Sequence, residues 1–397
     1  MNDDYRILVS SRWCYRALAA VLAALALVGL GAAHYMDTEG HWVTGMNNQV
    51  VWGLPHVFAI LLILGASGAL NVASMASLFG RAAYSGWSRF SGLLAISLLI
   101  GGLVVLVLDL GRPDRLIVAM THYNFKSIFA WNIFLYTGFA AVVGVYLWFL
   151  FERRMNRYAK TAGLVAFCWR FVLTAGTGSI FGFIIARQLY HSAMMVPLFI
   201  VFSLSLGTAF FMLAARVAGA LSGSRMKPET AASLMRLLGL LIALECFLIC
   251  AFHLTGLYTA SRVGVGRFIL LEGGVYTALF WIGQILVGAL LPLGLVYLAK
   301  PDRNPDFRFI AASLSTLLGG LCFLYVTIIA GQAYPQLLFP GKQVRSTFFD
   351  GVVGHYAPSL PELALGIGGA SIAGIVLLAS LRVLPFLPGE TERPAAS

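Results

Sequence analysis

Residues 109–131, DLGRPDRLIVAMTHYNFKSIFAW, concentrate groups able to exchange protons or to hold a polar ligand. Between two apolar runs stand Asp109, Arg112, Asp114, Arg115, His122, Tyr123, Asn124 and Lys126. Asp109, His122 and Tyr123 can give or take protons, and the Asn124 amide both donates and accepts hydrogen bonds. That mix suits a quinone, which needs a donor at each carbonyl, a group that exchanges protons and an aromatic or aliphatic slot. Phe125 and Trp131 are candidates to line the entrance for its tail, and His56, Asn124 and His191 to help hold the ring. The plainer readings are an Asp109–Arg112 ion pair at a helix end, Pro113 as a helix stop, and interfacial histidines without a task. His34 and His41 fall in a short loop and receive no assignment.

A second set lies deeper. Arg170, Glu245, His253 and Glu272 interrupt or border apolar runs, and Gln284 adds a neutral polar side chain. Ionisable groups inside a bilayer are costly and pair with one another or face a polar cavity. Glu245 and His253 are eight residues apart, about 12 Å along a helix and rotated by about 80°, so one cavity can touch both. Arg170 is a candidate to neutralise Glu245 from another helix. The set reads as a proton route through the protein, with a static ion pair as its structural alternative.

Other chemistries find no support. There is no nucleotide-binding loop, no HExxH and no CxxC. Of the five cysteines, Cys168, Cys246, Cys250 and Cys322 fall inside apolar runs, and Cys246 with Cys250 reads as packing. Two facing histidines can ligate haem b, but the seven histidines show no paired spacing inside helices. No tightly bound redox cofactor is expected, and a haem b subunit remains an alternative.

The elements that position these residues follow from composition. The 397 residues are 59% hydrophobic and only 11% charged, with a mean hydropathy of +0.86. Soluble domains carry about 25% charged residues, so too few are present here to cover a water-facing surface. About 20 apolar residues cross the hydrocarbon layer as a helix. Spans are read near 15–35, 53–78, 90–109, 127–151, 162–186, 194–218, 231–254, 274–299, 308–333 and 363–383. The backbone must satisfy its own hydrogen bonds in lipid, so the fold class is an all-α polytopic bundle of about ten transmembrane helices. A single transmembrane domain is expected over 1–397, with the bundle at 15–383 and a short polar tail at 384–397. The first span lacks a clean signal-cleavage site and is read as retained.

Lysine and arginine set the direction. Seventeen lie on the side of the termini, among them Arg153, Arg154, Arg157, Arg216, Arg225, Lys300, Arg303, Arg308 and Arg393. Eight lie on the opposite side: Arg112, Arg115, Lys126, Arg187, Arg262, Arg267, Lys342 and Arg345, while Arg170 and Arg236 fall within spans. Both termini are therefore expected in the cytoplasm, and residues 109–131 on the outer face of the cell's inner (cytoplasmic) membrane. The net charge of +11 is spent on topology and lipid headgroups rather than on nucleic acid. Polar outer loops at 110–126, 187–193 and 255–273 cover no soluble domain of this protein and await a partner. Many of the 42 glycines sit in spans beside Ala and Ser, as in GASGALNVASMAS at 65–77, which is close helix packing. No internal duplication is evident, which leaves a non-redox transporter as a weaker alternative.

On these residues the protein resembles a known family. DLGRPDRL (109–116), HYNFKSIFAWNIFLYTG (122–138) and WGLPHVFAILLILGASGALNVASMASLFG (52–80) look like the signature regions of the NrfD/PsrC family of quinone-interacting membrane subunits. The ten-helix count is similar to its longer branch, with HybB-like and DsrP-like members, and GMNNQVVWGLPHVF (45–58) leans to the sulfur-complex side. The resemblance extends over approximately 12–385 and is most specific at 52–150. It implies a subunit without a redox cofactor of its own that reacts with quinone or menaquinone. It also implies an extracytoplasmic four-cluster iron–sulfur partner and further catalytic or cytochrome subunits. Asp109, His122 and Tyr123 are the nearest equivalents of that family's quinone-contacting His, Tyr and Asp.

Overall fold

The computed structural model describes residues 5–9, 12–223, 226–299, 304–336 and 351–389. Residues 390–397 of the expected tail, and Arg225, Lys300, Arg303, Lys342, Arg345 and Arg393 of the charge count, lie outside the described residues. Among the described residues, ten helices are long and apolar enough to cross a membrane. They are α1 (Trp13–Glu39), α2 (Leu54–Ser77), α3 (Ala82–Leu108), α4 (Ile128–Phe151), α5 (Asn156–Gly182), α6 (Met195–Ser222), α7 (Pro228–Tyr258), α8 (Val275–Leu298), α9 (Pro305–Ala333) and α10 (Leu360–Val383). The protein is a multi-pass all-α membrane protein.

Burial orders the bundle. The most apolar window of α2 is 94% buried and that of α1 only 17%, so α2 is the central element and α1 a peripheral one. α2 packs on α3, α6 and α10, and α1 leans on α10. Small residues make the tightest crossings. A Cβ on Gly68 of α2 would collide with the Ser203 carbonyl of α6, and one on Gly207 with the Gly68 backbone. α1 meets α10 in the same way, where a Cβ on Gly29 would lie 2.7 Å from the Gly368 Cα. In lipid, where hydrophobic burial no longer drives association, such backbone approach supplies the dispersion contacts that hold helices together. α8 widens into π-helical winding over Leu279–Leu290, where its Gly283 and Gly288 meet Cys322 and Gly319 of α9.

The two ends of the chain meet on one face. Tyr5–Arg6 pairs antiparallel with Leu387–Pro388, and Phe386 and Leu387 are buried. The first residues after α10 are therefore packed into the bundle. The even number of described spans and this pairing put residues 5–6 and 387–388 on the same side.

Candidate functional site

On the face opposite the termini, the segment between α1 and α2 is held by side chains from α9 and α10 and from the loops beside them. The Gln332 amide oxygen accepts from the backbone N–H groups of Val51 and Trp52, both at 3.0 Å, and its nitrogen donates to the Trp52 carbonyl at 3.0 Å. Arg187 donates to the carbonyls of Gln332 (2.7 Å) and Gln49 (2.8 Å). The Tyr356 hydroxyl accepts from the Leu54 N–H at 2.7 Å and donates to Glu362 at 2.7 Å. Glu362 also accepts from the N–H of Gly45 (2.9 Å) and, in a capping box, from that of Ser359 (2.7 Å). Burial, then the Glu362 charge, pushes the Tyr356 phenol above its usual value, so it stays a neutral donor. Gly53 is required here, because a Cβ would collide with a Glu362 carboxylate oxygen. This network fixes the first turn of α2, and with it Trp52 and His56.

His56 in that first turn faces Asp109, which follows the last residue of α3. Its Nδ1 lies 2.8 Å from Asp109 Oδ2, and His41 Nε2 lies 3.9 Å from Oδ1 and 3.1 Å from the Asp109 backbone oxygen. The His56–Asp109 approach is close but not aligned as a hydrogen bond. Among the described residues, neither His56 Nδ1 nor either buried carboxylate oxygen makes an aligned hydrogen bond, and the 2.8 Å approach is an ion-pair contact alone. Asp109 is only 6% exposed. A buried carboxylate without an aligned hydrogen bond is unusual, since buried polar atoms are nearly always satisfied. Trp52 stands beside the pair, its ring 6.2 Å from His56, and continues into Phe129 (5.8 Å) and Phe181 (5.9 Å) as an aromatic wall. A proton-exchanging pair at the head of an aromatic slot can bond the carbonyl or hydroxyl oxygens of a flat ring.

The other residues expected around Asp109 fall elsewhere. Arg112 does not pair with Asp109; it makes two hydrogen bonds to Asp114 (3.0 and 2.9 Å) and holds that carboxyl below the usual range. His122 is exposed after the short helix Leu116–Thr121, with its Nδ1 3.0 Å from the Thr121 hydroxyl. Tyr123 stacks on Phe134 (4.6 Å) and Phe125 (5.8 Å), and Trp131 donates to the Phe125 carbonyl (2.8 Å). Exposed Asn124 accepts from the Lys126 N–H at 3.1 Å. Among the described residues, no hydrogen bond, ion pair or ring contact joins His122, Tyr123 or Asn124 to Asp109 or His56. His191 is exposed; its neighbour Tyr190 is buried and donates to the Ile328 carbonyl at 2.5 Å.

Sequence reasoning gives His41 no assignment, yet it reaches Asp109. Nothing local in HWV marks it, since the contact spans 68 residues. Glu362 also escapes that reasoning, although Ser359-x-x-Glu362 is a legible capping signature.

Deeper in the bundle, Arg170 and Glu245 do not form the expected ion pair. Arg170 donates to Asn71 Oδ1 at 2.6 Å, and its guanidinium lies 4.8 Å from the ring centres of both Phe167 and Phe171. Asn71 in turn donates to the Thr208 hydroxyl at 2.8 Å. Glu245 instead accepts from the Ser205 hydroxyl. Ser205 and Thr208 are three apart on α6 and so neighbour each other on one helix face. A polar file thus runs Arg170–Asn71–Thr208, then Ser205–Glu245, across four helices. His253 shares with Gln284 and Thr327 a separate cavity of about 20 Å³, room for one water, and Glu245 is not in its wall. Glu272 is exposed at the end of the π-helical turn Phe268–Glu272 that precedes α8. Among the described residues, no three His, Cys, Asp or Glu side chains gather into a metal-holding group.

The protein is 27% identical over 380 residues to an Hdr-like menaquinol oxidoreductase integral membrane subunit of Archaeoglobus fulgidus, covering 94% of each. It is 26% identical over 410 residues to a putative dimethyl sulfoxide reductase membrane subunit of Halobacterium salinarum, covering 94% of this protein and 91% of that one. With a polysulfide reductase subunit of Wolinella succinogenes it shares 25% identity over 305 residues, 72% of this protein and 96% of the relative. Residues 42–336, which run from the loop before α2 to the end of α9 and carry both the His56–Asp109 pair and the polar file, match the family described as polysulphide reductase, NrfD, and the protein belongs to that family.

Proposed function

We propose that this protein is the quinone-reactive membrane subunit of a respiratory oxidoreductase in the cytoplasmic membrane, with its quinone site at His56 and Asp109. The observation that carries this reading is the buried Asp109 carboxylate, without an aligned hydrogen bond, in ion-pair contact with His56 beside the Trp52 wall. A quinol hydroxyl seated there would donate to Asp109, while His56, 2.8 Å from that carboxylate, takes up or returns a proton. Electrons pass between the quinone and an iron–sulfur partner docked on the same face, which is the extracytoplasmic one by charge bias. The menaquinol named in the Archaeoglobus relative supports a menaquinone-class substrate. The test is electron exchange between quinone and the partner's iron–sulfur clusters in the purified complex; a complex in which quinol never reduces the clusters and quinone never oxidises them would refute the reading.

The orientation rests on the seventeen-to-eight charge bias. A reporter active only when exported should be inactive fused at Ser397 and active when inserted at 259–262. The opposite pattern would move the site to the cytoplasmic face.

The polar file around Glu245 supports proton transfer between the termini face and the quinone site. Glu245→Gln keeps the side chain's shape and removes its titration. In reconstituted vesicles, proton uptake from the termini side should fall by about 10²-fold, the lower end of what a positioned proton-transfer group contributes. Assembly should persist. Unchanged uptake, or loss of the assembled complex, would assign Glu245 a structural role.

A further inference from the structure

A second cavity lies far from His56, at the face where Tyr5–Arg6 meets Leu387–Pro388. It has a volume of about 690 Å³ and opens between the end of α6, the start of α7, the end of α8 and the start of α9. That volume falls within the usual range for small-molecule sites, about 300–1,000 Å³. Much of its wall is apolar, with Ala215, Met235, Val296 and Phe309 facing the space. Three arginines stand in that wall, Arg216, Arg236 and Arg308.

Their partners differ. Arg308 donates to the Leu295 carbonyl at 2.7 Å. Arg216 binds Asp306 at 2.8 Å with one terminal nitrogen, and its buried Nε has no hydrogen-bond partner among the described residues. Arg236, two turns into α7, makes no hydrogen bond or ion pair with any described residue. Eight residues beyond Pro228, it sits about 12 Å along the helix, at a depth where a lone cation in lipid is costly. Asp306 is engaged by Arg216, and Glu229 is the other carboxylate, which leaves the wall net positive. α7 and α9 also begin at this cavity, each with proline in its first turn and no side-chain cap, so two helix N-termini add partial positive charge.

We propose that this cavity binds the phosphate of an anionic phospholipid, with Arg236 and the free edge of Arg216 as its ligands and the apolar wall receiving the acyl chains. A basic pocket between helices at a membrane face is the physical setting in which acidic headgroups are recognised. The phosphate answers the unpaired charge of Arg236 and the open Nε of Arg216 together. A free phosphate would satisfy the arginines and leave the apolar wall bare. The inference does not depend on the quinone reading, because it concerns different residues at the opposite face.

The test uses the whole purified complex, delipidated in detergent and titrated with phosphatidylglycerol, phosphatidylcholine or inorganic phosphate under native mass spectrometry. Wild type should retain phosphatidylglycerol in preference to phosphatidylcholine, and Arg236→Gln should weaken that retention by about fivefold, the worth of one basic residue at an anionic headgroup. Arg236→Lys should restore it. Ala232→Trp, which fills the cavity and keeps every arginine, should also abolish retention. Equal retention of both lipids, or unchanged phosphatidylglycerol binding in Arg236→Gln and Ala232→Trp, overturns the proposal. Displacement of the lipid by millimolar inorganic phosphate overturns it in favour of a soluble phosphate.

Discussion

Asp109→Asn in the assembled complex should lower quinone turnover by about 10²-fold or more, the range expected when a positioned proton-exchange group is lost. The change is nearly isosteric, and the Asp109 carboxylate accepts no hydrogen bond from the described residues, so little packing is lost with the charge. What disappears is the negative partner of His56 at 2.8 Å and of His41 at 3.9 Å, together with the acceptor offered to a quinol hydroxyl. His122→Ala is the contrast, because His122 is exposed and touches neither Asp109 nor His56; its effect should stay within about threefold, below the loss of any group that transfers a proton. Steady-state rates in membranes with matched amounts of complex give the comparison. Equal losses in the two variants would shift the site outward to His122, Tyr123 and Asn124.

Gly207→Val should deplete the folded protein from the membrane. Even its first carbon would overlap the Gly68 backbone, and backbone cannot move aside as a side-chain tip can. Overpacking a core costs roughly 1–3 kcal/mol, and here α2 and α6 would have to separate where Asn71 bonds Thr208. The melting temperature of the purified complex and its yield from membranes report the effect. Gly31→Ala is the control, since nothing lies within 4 Å of its Cβ position, and it should change stability by no more than about 0.5 kcal/mol. Normal yield and melting temperature for Gly207→Val would mean the two helices do not cross at these glycines.

The ten spans were legible because length and apolarity alone decide them, and observed bounds differ mainly where helices run on past the apolar stretch. α7 begins at Pro228 rather than near 231, for example, and extends to Tyr258 rather than 254. Asp109 and His56 were legible as residues, since polar groups at the ends of apolar runs stand out. Their pairing was not, because it depends on how α2 turns against α3. Within 109–131 the sequence treats Asp109, His122 and Tyr123 as one cluster. In space the short helix Leu116–Thr121 carries the latter two outward, onto an exposed aromatic group. Arg170 and Glu245 were legible as ionisable residues within spans, but a helical wheel does not show that hydroxyls of α6 stand between them. His41 lay outside any pattern, because a loop residue acquires its partner only when the bundle closes.

The position of the quinone is the central claim, and photolabelling tests it most directly. An azido-quinone irradiated with the active complex, followed by peptide mapping, should label peptides containing residues 41–56 and the end of α3 at Asp109. Excess unlabelled quinone should suppress that labelling, and Asp109→Asn should diminish it. Suppressible labelling confined to the loop at 122–134, or to the face of the termini, would contradict a site built on His56 and Asp109.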